Sequence, residues 1–251
     1  MPDIPYYCVS EPNLLPRSLL AEAVALTQRS KENLPFFRGP LNTILYQLHQ
    51  LGLVYAHAPK NMDIDRHAAG TLYDTEYALL QVLSSQRQAK DDILDVEILL
   101  AETLQLYLWV GPRRLRPQTR LCSLLASRVA MALAIFIPNS HEYDDSGSAE
   151  PSVTLSHSSS KDYFTRCRTR PRSVNNLIAW SLALSAVAGA AAPISEYQWL
   201  EANCALQIQA MGLDNDIDSY RSLLKLFPKV DGFDWIDLEG LHNKIRLSNK
   251  D

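Results

Sequence analysis

Closely spaced cysteines and functional glycines are what this sequence lacks most plainly. Its nine glycines are dispersed, and none forms the spacing that lets backbone close on a phosphate, which excludes a glycine-rich nucleotide loop. The four cysteines, Cys8, Cys122, Cys167 and Cys204, lie far apart, whereas a zinc site on a small loop needs ligands a few residues from one another. Three of them sit in or near apolar helical runs and are expected to be reduced core residues, which suits a reducing compartment. A basic excess is missing too. Lys and Arg number 24 against 28 Asp and Glu, for a net charge of -4 and a pI near 5.9. That balance gives no global attraction to nucleic acid.

Long apolar runs are scarce. The start "MPDIPYYCVSEPNLLP" has no basic patch leading into an apolar stretch, so no secretory signal is expected. One segment, "VNNLIAWSLALSAVAGAAAPIS" (174–195), is long enough to test as a membrane span. It is rich in Ala and Ser and opens on Asn175 and Asn176, so it reads as a buried helix, and no membrane contact is expected. The six histidines, His49, His57, His67, His141, His157 and His242, are scattered. His49 and His57 are eight apart with no acid at i+4, and a surface or edge role is expected for them rather than metal ligation. There is no serine elbow and no cysteine–histidine signature. The residues therefore nominate no catalytic, cofactor-binding or metal-ligating position and no cofactor.

What is present is helical periodicity. With 251 residues, 47% of them hydrophobic and 21% charged, the chain can bury a sizeable core and has the composition of a globular protein. Residues 1–16 read as an extended N-terminal segment. Residues 17–251 read as one all-α domain of about eight to ten helices. Pro16 and Pro40 open the first two, and Leu72, Tyr73, Glu76 and Leu80 mark a third. "DDILDVEILLAETLQLYLWV" is apolar around most of its circumference after Ile93, as befits a central helix; Gly111 and Pro112 stop it. Pro117 leads into the next helix, which ends at Pro138. Residues 139–172 are dominated by serine, acidic and proline residues and predict a mobile, disordered insertion with a basic end. Helices resume near Ser173. Ser195 with Gln198 suggests a capping box before "EYQWLEANCALQIQAMG", which Gly212 closes. Ser181, Ser185 and Gly189 recur at intervals of four, permitting close helix approach, either inside the fold or at a dimer seam.

Two acidic stretches raise a chemical question. Asp91, Asp92 and Asp95 in "DDILD" have the spacing of a magnesium–diphosphate motif, and "NDIDS" (Asn215, Asp216, Ser219) resembles the start of its companion. The order and an all-helical fold would suit a terpene-forming enzyme. Against this, both stretches stand where helices begin, where carboxylates are stabilised by free backbone N–H groups and the macrodipole. The companion motif needs a third ligand where Leu223 stands. Asp214 or Asn215 is expected to cap the helix instead. Asp214, Asp216 and Asp218 also fail as a calcium loop, since Ser219 and Lys225 occupy the glycine and glutamate places. Two basic clusters, Arg113–Arg120 and Arg166–Arg172, read as solvated loops, with phosphate contact or nuclear import as the alternatives. Tyr107, Trp109, Trp180, Tyr197 and Trp199 read as core.

The helices, in order, carry a resemblance. "LYDTEYALLQVL", "ILLAETLQLYLWVGPRRLRPQTRLCSLL", "NLIAWSLALSAVAGAA", "YQWLEANCALQIQAMGL" and "SYRSLLKLFPKVD" together look like the fungal-specific transcription factor domain, the helical regulatory region of fungal binuclear-zinc-cluster factors. The resemblance runs from about Leu72 to about Ile245, and more faintly back to Leu41. It implies an all-α fold, a nuclear location and regulation of transcription, often of a metabolic, including secondary-metabolite, gene set. Such factors read DNA through a separate six-cysteine module, which residues 1–251 do not contain. The resemblance therefore implies a non-enzymatic coactivator or regulatory subunit without autonomous sequence-specific DNA binding. A protein partner would supply DNA contact, or the chain would form a homodimer, with a small-molecule effector as a further partner. The rival readings are a small-molecule enzyme on a helical scaffold, including the magnesium–diphosphate version, and a ligand-binding or scaffold domain.

Overall fold

A computed structural model describes residues 16–35, 37, 39–57, 62–86, 93–117, 119–137, 157–189, 194–230, 233 and 235–248. Among them there are ten helices and no strand, the all-α class that the periodicity predicts. Pro16 stands at the N-cap of α1 (Arg17–Asn33), where a fixed φ suits helix entry and a missing N–H is no loss. α2 (Gly39–His57) and α3 (Met62–Gln86) follow, and then α4 (Ile93–Val110). Gly111 and Pro112 end α4 as expected, and the chain turns back with Arg113 N–H donating to Leu108 O at 2.9 Å. α5 (Arg120–Leu133) is capped by Thr119, whose hydroxyl accepts from the N–H of Cys122 at 3.3 Å.

α6 (His157–Thr169), α7 (Arg172–Ala188), α8 (Ile194–Ala210), α9 (Ile217–Leu224) and α10 (Leu238–Ser248) complete the order. Gly212 closes α8 at φ +69°, with Leu213 N–H donating to Ile208 O at 2.9 Å. That left-handed conformation favours glycine and marks a Schellman cap.

α4 and α7 form the centre. α4 packs against α2, α3, α5 and α7, and α7 against α1, α4, α5, α8, α9 and α10. Ser181 explains how α7 approaches α4: its hydroxyl oxygen is small enough to sit 2.9 Å from the donating Thr103 hydroxyl, both fully buried. Ser185 is fully buried as well. This end of the small-residue stripe serves internal packing. Tyr107 and Trp180 are core as expected, while Trp109, Tyr197 and Trp199 are half-buried at the edge.

Several expectations need correction. His49 is not at the surface: it is fully buried, because α2 is covered by α1 on one side and by α3 and α4 on others. Of the predicted insertion at 139–172, residues 139–156 lie outside the described residues, but 157–169 are helical. Tyr163 and Cys167, four residues apart, give α6 an apolar edge that packs on α8. On α3 the inward face is Ala68, Leu72, Thr75, Leu79 and Leu83, whereas Tyr73 and Leu80 are exposed. α8 starts at Ile194, so Ser195 is helical rather than its cap. Among the described residues no helix is long and apolar enough to cross a membrane.

Candidate functional site

The two acidic stretches do not converge on a metal site among the described residues, where no group of three or more His, Cys, Asp or Glu could hold an ion. Asp91 and Asp92 lie outside those residues; Asp95 occupies the first turn of α4, where a carboxylate is stabilised by the helix dipole. At the second stretch the cap is Asp216, not Asp214 or Asn215. Its Oδ1 accepts the Ser219 N–H at 2.9 Å and its Oδ2 accepts the Ser219 hydroxyl at 2.6 Å. Those bonds hold the Asp216 carboxyl below the usual carboxylate range. Asn215 donates to Asp214 Oδ2 at 2.8 Å, and Leu223 is buried. The stretch works as a helix start, one or two residues later than expected, after the turn at Gly212 and Leu213.

The Arg113–Arg120 cluster is less solvated than its composition suggests. Arg113 pairs with Glu76 of α3 and lies 4.6 Å from the ring centre of Tyr73 and 5.6 Å from that of Trp109. Arg114, at φ 55°, lies 5.7 Å from the ring of Tyr55. Arg116 and Arg120 remain exposed. In the second cluster Arg166, Arg168 and Arg172 are exposed, while Arg170 donates to Phe136 O at 2.7 Å and anchors the end of α6 to the turn after α5.

A cleft of about 390 Å³ opens where α1, α6, α7, α8 and α9 meet, with Asn33, Arg172, Asn175, Asn176, Ser219 and Ser222 among its lining residues. Asparagines inside an apolar helix must find partners or destabilise it, and both do. Asn176 Nδ2 donates to Asn33 O at 3.0 Å, joining α7 to the last residue of α1. Asn175 Nδ2 donates to Cys167 O at 2.7 Å, and its own carbonyl and side-chain oxygens face Gln207 Nε2 at 3.3 and 3.4 Å. Gln207 Oε1 in turn accepts from the Tyr163 hydroxyl at 2.6 Å. One chain of hydrogen bonds thus links α6, α7 and α8 along the cleft wall, and Asn176 extends it to α1.

The cleft has a polar mouth, with Arg172 in its lining and the Asp216 carboxylate bonded to the lining Ser219. Arg172 is exposed at the first position of α7, whose N-cap is Pro171 and makes no side-chain cap bond, so the positive end of a 17-residue helix lies beside it. Asn176 is 6% exposed, and its amide nitrogen donates to Asn33 O. Among the described residues the cysteines offer no reactive thiolate. Cys122, Cys167 and Cys204 are buried, and burial pushes all three thiols up, to about 11 at Cys122 and about 12 at Cys204, away from the reactive thiolate. The arrangement can therefore bind a small polar molecule with an anionic group, and it supplies no evident acid–base pair.

Sequence reasoning missed this cleft, although Asn175 and Asn176 at the head of an apolar helix were its visible trace. No protein family, curated protein or solved structure matches the chain.

Proposed function

We propose that this chain is an effector-responsive regulatory domain that controls transcription of a metabolic gene set in the nucleus through a protein partner. The observation that carries the reading is the cleft at Asn176. A ligand seated there touches several helices at once, and its differential contacts would shift the population of their arrangements. Arg172 and the start of α7 favour an effector with a carboxylate or phosphate group, and Asn176 provides a neutral partner. The hydroxyl protons of Ser219 and Ser222 are already donated to Asp216 Oδ2 and Asp218 O. The order of helices from about Leu72 to about Ile245 supports the transcriptional side of the reading. Residues 1–251 include no six-cysteine cluster, and in this reading a partner makes the specific DNA contact.

Deleting the gene and profiling transcripts and metabolites together tests the proposal. A coherent set of pathway transcripts is expected to rise or fall. Steady transcripts with the loss of one product would instead mean action on molecules rather than genes, and Asp91, Asp92 and Asp95 would then have to be re-examined as ligands.

A further inference from the structure

The second arginine cluster carries charge that nothing nearby neutralises. Arg166, Arg168, Arg170 and Arg172 fall within seven residues, and no Asp or Glu occurs between Tyr163 and Ser195. Among the described residues none of the four has an acid within ion-pair distance, not even Asp162, one helical turn before Arg166. Guanidiniums this close repel one another and attract an anion. A hydroxyl stands among them. Thr169, the last residue of α6, is exposed, and its Oγ1 donates to Arg166 O at 3.1 Å.

An arginine three residues before a serine or threonine suits the acidic substrate groove by which many protein kinases select their targets. Four such pairs occur among the described residues: Arg116 with Thr119, Arg120 with Ser123, Arg166 with Thr169, and Arg170 with Ser173. The structure separates them. Thr119 caps α5, its hydroxyl accepting from the Cys122 N–H. Ser123 is half-buried within α5 and donates to Thr119 O at 3.4 Å. Ser173 is half-buried in the first turn of α7, and its Arg170 is held by Phe136 O. Of the four pairs, only Arg166 and Thr169 are both exposed. Arg168 directly precedes the acceptor, and α6 ends there, where backbone bonds run out and the chain can open locally.

We propose that Thr169 is a phosphorylation site, modified by an arginine-directed protein kinase. Its hydroxyl oxygen bonds to the γ-phosphorus of a nucleoside triphosphate while the bond from that phosphorus to its bridging oxygen breaks. The nucleoside diphosphate leaves, and the hydroxyl proton passes to the kinase's catalytic carboxylate. Two effects then oppose each other. A phosphate at the C-terminal end of α6 meets the negative end of that helix dipole. The surrounding guanidiniums offer bidentate, charge-assisted hydrogen bonds, and these outweigh an end effect that solvent screens. The modification converts an unpaired cluster into a paired one. Arg172 also lines the cleft, so the phosphate draws it away from an anionic effector; that consequence alone rests on the regulatory reading.

The test is phosphate incorporation into the folded full chain, with ATP and a protein kinase selective for arginine three residues before the acceptor. Chymotryptic peptides are mapped by mass spectrometry. Cleavage after Phe164 and Leu177 leaves Thr169 and Ser173 on one peptide, and its fragmentation tells them apart. The expected result is phosphate on Thr169 ahead of every other site, lost in Thr169→Ala. Incorporation in Arg166→Ala should be about tenfold slower, the loss of one charge-assisted contact to the kinase. Both side chains are exposed, so the helical circular dichroism of the two variants should match wild type. No phosphate on the folded chain, phosphate on Ser173 in place of Thr169, or an undiminished rate in Arg166→Ala would overturn the proposal. None of these outcomes bears on transcript control, so the two readings fail separately.

Discussion

The indole of Trp180 lies flat on the ring of Phe227, with centroids 4.2 Å apart and planes 5° from parallel. Trp180 belongs to the middle of α7, and Phe227 to the segment after α9, so the stack fastens the C-terminal part of the chain to the central helix. Both are essentially fully buried, and such a stack adds about 0.5–1.5 kcal/mol to the burial itself. Phe227→Ala should therefore destabilise the fold by about 3–5 kcal/mol, and Phe227→Leu by distinctly less. Chemical denaturation of both variants checks the order and the size.

Gly52 marks the closest approach of α2 to the segment that carries Lys229. A Cβ there would meet Tyr107 Oη at 2.9 Å and the backbone N and O of Lys229 at 3.0 Å, where Tyr107 donates to Lys229 O at 2.7 Å. Backbone cannot swing aside as a side-chain end can. Gly52→Ala should lose about 1–3 kcal/mol despite its better helix propensity. Combined with Tyr107→Phe in a double-mutant cycle, the losses should be non-additive, since both changes act on the same bond.

His49 sets an acid limit on stability. Its Nε2 is 3.0 Å from Ser30 Oγ, and that hydroxyl reaches Leu226 O at 2.5 Å and Leu26 O at 2.9 Å. The single hydroxyl proton goes to a carbonyl, so the imidazole donates from Nε2 and its Nδ1 is left as a buried acceptor without a partner. Burial pushes the imidazole down to about 3, against about 6.5 in the unfolded chain. The unfolded state therefore takes up a proton below about 6.5 that the folded state refuses. This contribution to stability is complete above pH 6.5 and is lost as pH falls toward 3, by up to about 1.4 kcal/mol per pH unit. Urea midpoints between pH 7 and 4.5 should fall in wild type, and the slope should be shallower in His49→Gln.

Asp216 separates the capping role from the metal role. Asp216→Ala should lower Tm modestly through loss of the two Ser219 bonds, while Asp216→Ser, which retains a capping oxygen, should keep most of it. Magnesium with pyrophosphate should leave the Tm of wild type unchanged. A rise that disappears in Asp216→Ser would mean that the carboxylate binds metal.

The central helices α4, α5 and α7 were legible because their apolar residues recur at 3.6-residue spacing, or cover the whole circumference where a helix is enclosed. α6 was not, since Tyr163 and Cys167 are two apolar positions in a serine- and charge-rich window, and they are buried by partners distant in sequence, among them Gln207 on α8 and Asn175 on α7. Among Asp214, Asn215 and Asp216 all three residue types cap well, so the choice fell to the Gly212 turn, which composition does not encode. The cleft depends on Asn33 and Asn176, which are 143 residues apart. The outer face of α5 was hidden for a different reason: "RLCSLLASRVAMAL" is apolar on both faces, and only the packing of α4 and α7 reveals which face stays outside.

The most direct test of the regulatory reading is chromatin occupancy of the tagged full chain in its native cells. Enrichment at promoters of one metabolic gene set, the set that shifts on deletion, is the expected result. No enrichment above an untagged control at any promoter would contradict it.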